Sequence, residues 1–259
     1  MSFLRIAPFM LAVASAFAAQ GHATTSTAAQ LPAHATLPIT FTKTVSAAHA
    51  KPGDPILAKT TQPVRLTDGR EVPPGSLVKG HVLASRPFTY DKTPYAKQIP
   101  GTLEIQIDSL EVQGKTIPLS VSLRAMAGPI ASSDASEPEY TSDVDPQHTT
   151  VQIGGDLLTP SQKEILDPNG DVVGYNKKGG AYAHLIANSR GPVNCDGGDT
   201  EQPVFLFSAS ACGLYGFSEV SLTSFNSSRI GLASPHSTPE IWKHSTALLE
   251  TTPEDVSSK

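Results

Sequence analysis

Apolar and polar residues alternate with a period of two through the middle of the chain. Leu103, Ile105 and Ile107 fall on one side, and Glu104, Gln106 and Asp108 on the other. Further on, Ile117, Leu119, Val121 and Leu123 alternate with Pro118, Ser120, Ser122 and Arg124, and Gln113-Gly114 sits between the two runs as a hairpin turn. Successive side chains of a strand point to opposite faces, so this spacing predicts strands with one buried and one wetted face, the pattern of antiparallel sheets and barrels. A helix would scatter the same apolar residues around its axis. Upstream, residues 37–42, 56–58, 64–66 and 77–83 read as shorter strands. Asp68-Gly69 is a two-residue hairpin turn, and Pro74-Gly75 is a second turn.

The pattern breaks after residue 127. Residues 128–150 are rich in Ser, Pro, Asp and Glu and read as a long exposed loop. Thr159-Pro160-Ser161-Gln162 has the form of a capping box with proline at the first helical position, which predicts a short helix through Leu166. Short strands are then expected at 172–175, 182–187, 204–207 and 220–222, and a last strand at 241–249, before a polar tail.

The first 23 residues have the form of an export signal. Arg5 is followed by an apolar run over residues 6–19, with small-residue cleavage patterns at Ala16-Phe17-Ala18 and Gly21-His22-Ala23. The run is shorter than the ~18–20 residues a membrane span needs, so no transmembrane span is expected in the mature chain. The two cysteines, Cys195 and Cys212, form an even count, which in an exported chain favours a disulfide over two free thiols. A net charge of −5 without clustered Lys or Arg argues against nucleic-acid binding.

These signals together predict a mainly β fold: an antiparallel β-barrel or sandwich with a loop-rich, disulfide-stapled β insert and little helix. The expected division is a signal at 1–23, a flexible leader at 24–36, a barrel-like domain from 37–127 and 236–251, an insert at 128–235, and a disordered tail at 252–259.

The phrase Pro52-Gly53-Asp54-Pro55 leading into Ala58, then Asp68-Gly69, then Pro73-Pro74-Gly75-Ser76-Leu77-Val78-Lys79-Gly80, resembles the C-terminal periplasmic domain of TrbI-like scaffold proteins of conjugation and type IV secretion. The hairpin spanning residues 103–123 resembles the strand pair that follows in that family, and residues 242–249 resemble its closing strand. Uncharacterised exported proteins of diderm bacteria look similar, with a cysteine-containing segment like residues 194–217. The resemblance implies a barrel and an envelope location, with envelope proteins as partners. It does not extend to channel formation, because residues 129–235 contain no apolar run long enough for the helices that the family sends to the outer membrane.

No stretch carries a catalytic, cofactor or metal motif. Asp167-Pro168-Asn169-Gly170-Asp171 reads as a turn, since the glycine and closing glutamate of a calcium loop are misplaced. Ser208, Ser210 and Cys212 lack the G-x-S-x-G frame of a nucleophile elbow, and Cys212 would need a histidine such as His184, His236 or His244 brought beside it. Gly114-Lys115-Thr116 lacks the upstream glycine of a phosphate loop. Glu104, Asp108 and Glu111 read as a solvated face. Tyr175, Tyr182, Tyr215 and Phe217 are candidates for an aromatic binding platform, though core packing is the alternative. The expectation is an exported, non-enzymatic interaction or scaffold protein without cofactor, with a secreted hydrolase or glycan-binding accessory protein as the alternative.

Overall fold

The computed structural model describes residues 30–94, 97–137 and 148–252, so the expected signal, the first part of the leader (24–29) and most of the tail lie outside the described residues. The chain begins with β1 (Thr36–Phe41), β2 (Val45–Ser46), β3 (Pro55–Thr60), β4 (Val64–Arg65), β5 (Glu71–Val72) and β6 (Leu77–Arg86). It continues through β7 (Gly101–Val112), β8 (Lys115–Pro118), β9 (Val121–Ala127) and the helix α1 (Pro129–Ser136). Next come β10 (Thr150–Val151), β11 (Leu157–Leu158), β12 (Glu164–Leu166), β13 (Val172–Lys177) and β14 (Gly180–His184). Then follow β15 (Asn188–Arg190), β16 (Val193–Cys195), β17 (Glu201–Pro203) and β18 (Gly213–Tyr215). The last strands are β19 (Ser221–Ser224), β20 (Arg229–Ser234), β21 (Glu240–Ile241) and β22 (Thr246–Thr251).

The fold is mainly β and barrel-like. Nine strands form one sheet in the order β18-β9-β22-β1-β3-β6-β7-β20-β19, with β8 paired to β7 off that path. The sheet curls until its ends meet. Leu123 N–H donates to the Phe225 carbonyl at 2.6 Å, and Ser228 N–H donates to the Val121 carbonyl at 2.6 Å. The Ser228 hydroxyl accepts from Val121 N–H at 3.0 Å. These bonds lace the β19–β20 turn onto β9 and leave little open edge, which removes the pairing hazard of a flat sheet.

The period-two residues do what their spacing predicts. Leu103, Ile105 and Ile107 on β7 are buried in the main apolar cluster with Ile39, Phe41 and Val78. Burying each large aliphatic side chain contributes roughly 1.5–3 kcal/mol. Gln113 and Gly114 both have positive φ, at 50° and 77°, as a two-residue hairpin turn requires. Beyond Ile107 the register shifts opposite Lys79 and Gly80, which leaves Asp108 exposed and returns Leu110 and Val112 to the core. Gly80 is obligatory at this bulge, because a Cβ there would lie 2.1 Å from the Gln106 carbonyl oxygen.

The outward face of the barrel is charged. His81 meets Asp108 at 2.8 Å, Arg229 meets Glu104 at 3.9 Å, and Lys79 pairs with Glu111. Lipid-facing barrel walls are apolar, so a wall of this composition faces water. Among the described residues no helix is long and apolar enough to cross a membrane.

Several elements differ from the sequence reading. Residues 128–136 are not loop: Gly128 in extended conformation precedes Pro129, and α1 follows, burying Ser132 and Ala135. The expected helix after Thr159 is a turn, Gln162 N–H to Thr159 carbonyl, leading into β12, where pairing with β11 and β13 overrides the local capping signal. Residues 204–207 turn rather than extend, with Phe207 N–H donating to the Val204 carbonyl. The run over 117–123 is divided between β8, on β7, and β9, on β22. The expected last strand is likewise two pieces, β21 and β22. β19 and β20, assigned from the sequence to the insert, are barrel strands: β20 pairs with β7 and β19 with β20. Residues 30–36 are placed against the barrel: Leu31 packs on the core and Thr36 opens β1.

The insert therefore runs from α1 to β18. It carries a second sheet in the order β10-β11-β12-β13-β14-β17 and the separate β15–β16 hairpin. It has a small core of its own around Ile165, Ala183 and Val204. Val193, Cys195 and Cys212, by contrast, belong to the barrel's main apolar cluster, so the insert is rooted in the barrel core.

Candidate functional site

The seam between barrel and insert is where polar groups are buried. Arg124 on β9 is 2% exposed. Its Nη1 donates to the Asp196 carbonyl at 2.6 Å, and its Nη2 to the carbonyls of Ile186 at 2.8 Å and Ala209 at 3.3 Å. Glu250 Oε2 lies 3.6 Å from Nη1 and supplies the counter-charge. Burial lowers the guanidinium pKa, and Glu250 opposes that shift. One planar fork thus ties three separated insert segments to the barrel wall, a task that fits arginine and no other side chain.

Gln62 is a second anchor. It is fully buried between β3 and β4, with Nε2 donating to the Ala181 carbonyl at 2.7 Å and Oε1 accepting from Phe205 N–H at 2.9 Å. The third anchor is covalent. Cys195 and Cys212 are bonded, with Cα atoms 6.0 Å apart, as their even count predicts. With both sulfurs in the bond, Cys212 is not a thiol nucleophile.

Beside Arg124 the seam opens into a cleft of about 250 Å³ whose lining includes His34, Ser122, Asn194, Asp196, Phe225 and Glu250. His34 Nδ1 stands 3.3 Å from Glu250 Oε1. The Arg124 and Glu250 charges offset one another, and Asp196, Asn194 and Ser122 add polar groups around them. Such a lining suits a neutral polar group better than an ion of either sign.

The four aromatic candidates do not form one platform. Tyr175 and Tyr182 face each other across β13 and β14 under the Lys177 ammonium, at 5.3 and 5.9 Å from the ring centres. Tyr215 stacks under the Arg190 guanidinium at 4.1 Å, and Phe217 stacks on Trp242 at 5.5 Å. Asp167 caps a hairpin turn, accepting from the backbone N–H groups of Asn169 and Asp171. Among the described residues no group of three or more His, Cys, Asp or Glu converges where a metal ion could sit. Ser208 is buried with its hydroxyl 3.4 Å from that of Ser210.

One buried titratable group escaped the sequence reading. Asp156, 5% exposed, accepts from Ala209 N–H at 2.9 Å, and burial raises its carboxyl pKa. A native pKa raised above the unfolded value contributes stability that is fully present below about pH 3.8 and is lost as pH rises through the native pKa. Asp156→Asn keeps an acceptor for Ala209 but cannot ionise. Its stability relative to the parent is therefore expected to improve as pH climbs from 3.8 toward neutrality. Thermal unfolding across that range checks this, and a difference that does not change with pH would refute it.

No family model, curated protein or solved structure matches the chain.

Proposed function

We propose that the protein is an exported, non-enzymatic interaction or scaffold module of the bacterial cell envelope, with a barrel of the TrbI-like kind as its rigid platform. The observation that carries this reading is the placement of exposed apolar side chains. Among the described residues, five of the seven large ones, Ile130, Val151, Val172, Tyr175 and Ile186, lie on the insert. The other two, Tyr90 and Ile99, lie on the β6–β7 loop, so none falls on a barrel strand. Contact surfaces carried on loops and inserts above a rigid scaffold are a common arrangement for binding. The disulfide accords with an oxidising compartment, and the export signal read from residues 1–23 supports the same location. Crosslinking in intact native cells, followed by capture and mass spectrometry, should recover a defined set of envelope proteins. Recovery of the protein alone would refute the scaffold reading.

The cleft favours a second reading, a glycan-binding accessory protein. Asn194, Asp196 and Glu250 around Phe225 offer the amide, carboxylates and aromatic ring that grip sugar hydroxyls and ring faces. Titration with soluble cell-wall oligosaccharides should then show saturable binding that Asn194→Ala removes. No binding across the panel would dismiss it.

A further inference from the structure

One end of the barrel gathers four segments, residues 42–54, the described residues of the β6–β7 loop (86–94 and 97–100), 216–220 and 235–244. Direct contacts hold them together. Gly53 N–H donates to the Val82 carbonyl, the Ser85 hydroxyl to the Ala50 carbonyl, and Phe88 N–H to the Thr238 hydroxyl. β2 pairs with β21, Lys243 N–H donates to the Thr44 hydroxyl, and Phe217 stacks on Trp242. These segments carry Lys43, Lys51, Arg86, Lys92, Lys97 and Lys243 against Asp54, Asp91, Glu219 and Glu240, a cationic rim on a chain of net charge −5. All six cations are exposed.

Three of the four acids are turned to local work, Asp54 by accepting from Lys51 N–H at 2.8 Å. Glu240 accepts from the Ser46 hydroxyl at 2.6 Å, and Asp91 accepts from Thr93 N–H at 2.7 Å. Glu219 lies 3.9 Å from His236. Asp134 on α1 and Glu137 just after it line a hollow with Val151 and Ile153. From the middle of the rim the β6–β7 loop projects Tyr90, 81% exposed, and Ile99, 64% exposed, beside Lys92 and Lys97. Half-buried Phe88 and Trp242 lie beneath.

We propose that this end of the barrel docks on an anionic lipid surface, with Tyr90 and Ile99 entering the headgroup layer and the ring of Lys and Arg lying over the phosphates. Aromatic side chains at the water–lipid boundary and basic residues near anionic headgroups are the two features that hold a protein on a membrane surface. A loop tip that stands proud gains most from a deformable partner, and a headgroup layer is one. The inference uses a surface other than the insert and does not depend on which protein the insert contacts.

The test is co-sedimentation of the protein with vesicles of phosphatidylcholine alone or with phosphatidylglycerol added. Binding is expected only to the anionic vesicles, weakening as salt shortens the Debye length. Lys92→Glu with Lys97→Glu should reduce partitioning about tenfold or more, and Tyr90→Ser with Ile99→Ser should also reduce it. All four positions are exposed, so an unchanged melting temperature is expected and separates lost docking from lost folding. Equal partition into both vesicle types, no partition, or undiminished binding of the charge-reversed variant would overturn the proposal. So would a lipid-independent protein complex that the same reversals abolish.

Discussion

Arg124→Ala is expected to destabilise the protein by about 3–5 kcal/mol, the range for removing one partner of a buried charge pair. The loss has two parts. The carbonyls of Ile186, Asp196 and Ala209 lose their donors inside the seam, and Glu250 loses its buried counter-charge. Arg124→Lys should recover only part of it, since one ammonium cannot reach three carbonyls and a carboxylate in the plane the guanidinium spans. Urea unfolding gives the magnitude, and limited proteolysis gives the location: cleavage is expected first between residues 186 and 209 while the barrel strands stay protected. A variant as stable as the parent, with the same cleavage pattern, would mean that Arg124 is not the clamp.

Removing the disulfide by Cys195→Ala with Cys212→Ala is expected to cost about 3 kcal/mol through the freedom returned to the unfolded chain. Because both residues are buried in the barrel's apolar cluster, the lost sulfur atoms add a packing loss to the entropic one. The bond ties the β15–β16 hairpin to the segment entering β18, two of the places where the insert is rooted. The unfolding midpoint should therefore fall for the whole molecule in one transition. Separate transitions, with the barrel's midpoint unmoved, would contradict the view that insert and barrel share a core.

The barrel was largely legible in the sequence because its strands keep one face wet. That is why β7 announced itself through Leu103, Ile105 and Ile107, and why Gln113-Gly114 marked its turn. Elements supported by tertiary contacts rather than by local pattern were not legible. The sequence PIASSDAS of α1 has no apolar stripe, and the proline at its start is a weak mark of a helix without one. The chemistry around Thr159 favours a helix start, yet two neighbouring strands hold that segment extended. The short strands β19 and β20 resemble those of the insert, and only the long-range pairing of β20 with β7 makes them barrel strands.

Arg124 was read as a solvent-facing member of an alternating run, whereas the structure buries it. A signal was present: residues 121–127 read VSLRAMA, nearly continuous in small and apolar residues, which is how a strand covered on both faces is written. A lone arginine in such a strand demands buried acceptors. Gln62 gave no comparable warning, since its partners, Ala181 and Phe205, lie more than a hundred residues away.

We propose that the insert, held on a water-facing barrel, is the surface through which the protein contacts envelope partners. A photo-crosslinking residue placed at Tyr175 on the insert, and in a second variant at His81 on the barrel wall, tests this in native cells. The expected result is a discrete envelope-protein adduct from position 175 and none from position 81. Adducts of equal yield from both positions, or from position 81 alone, would contradict it.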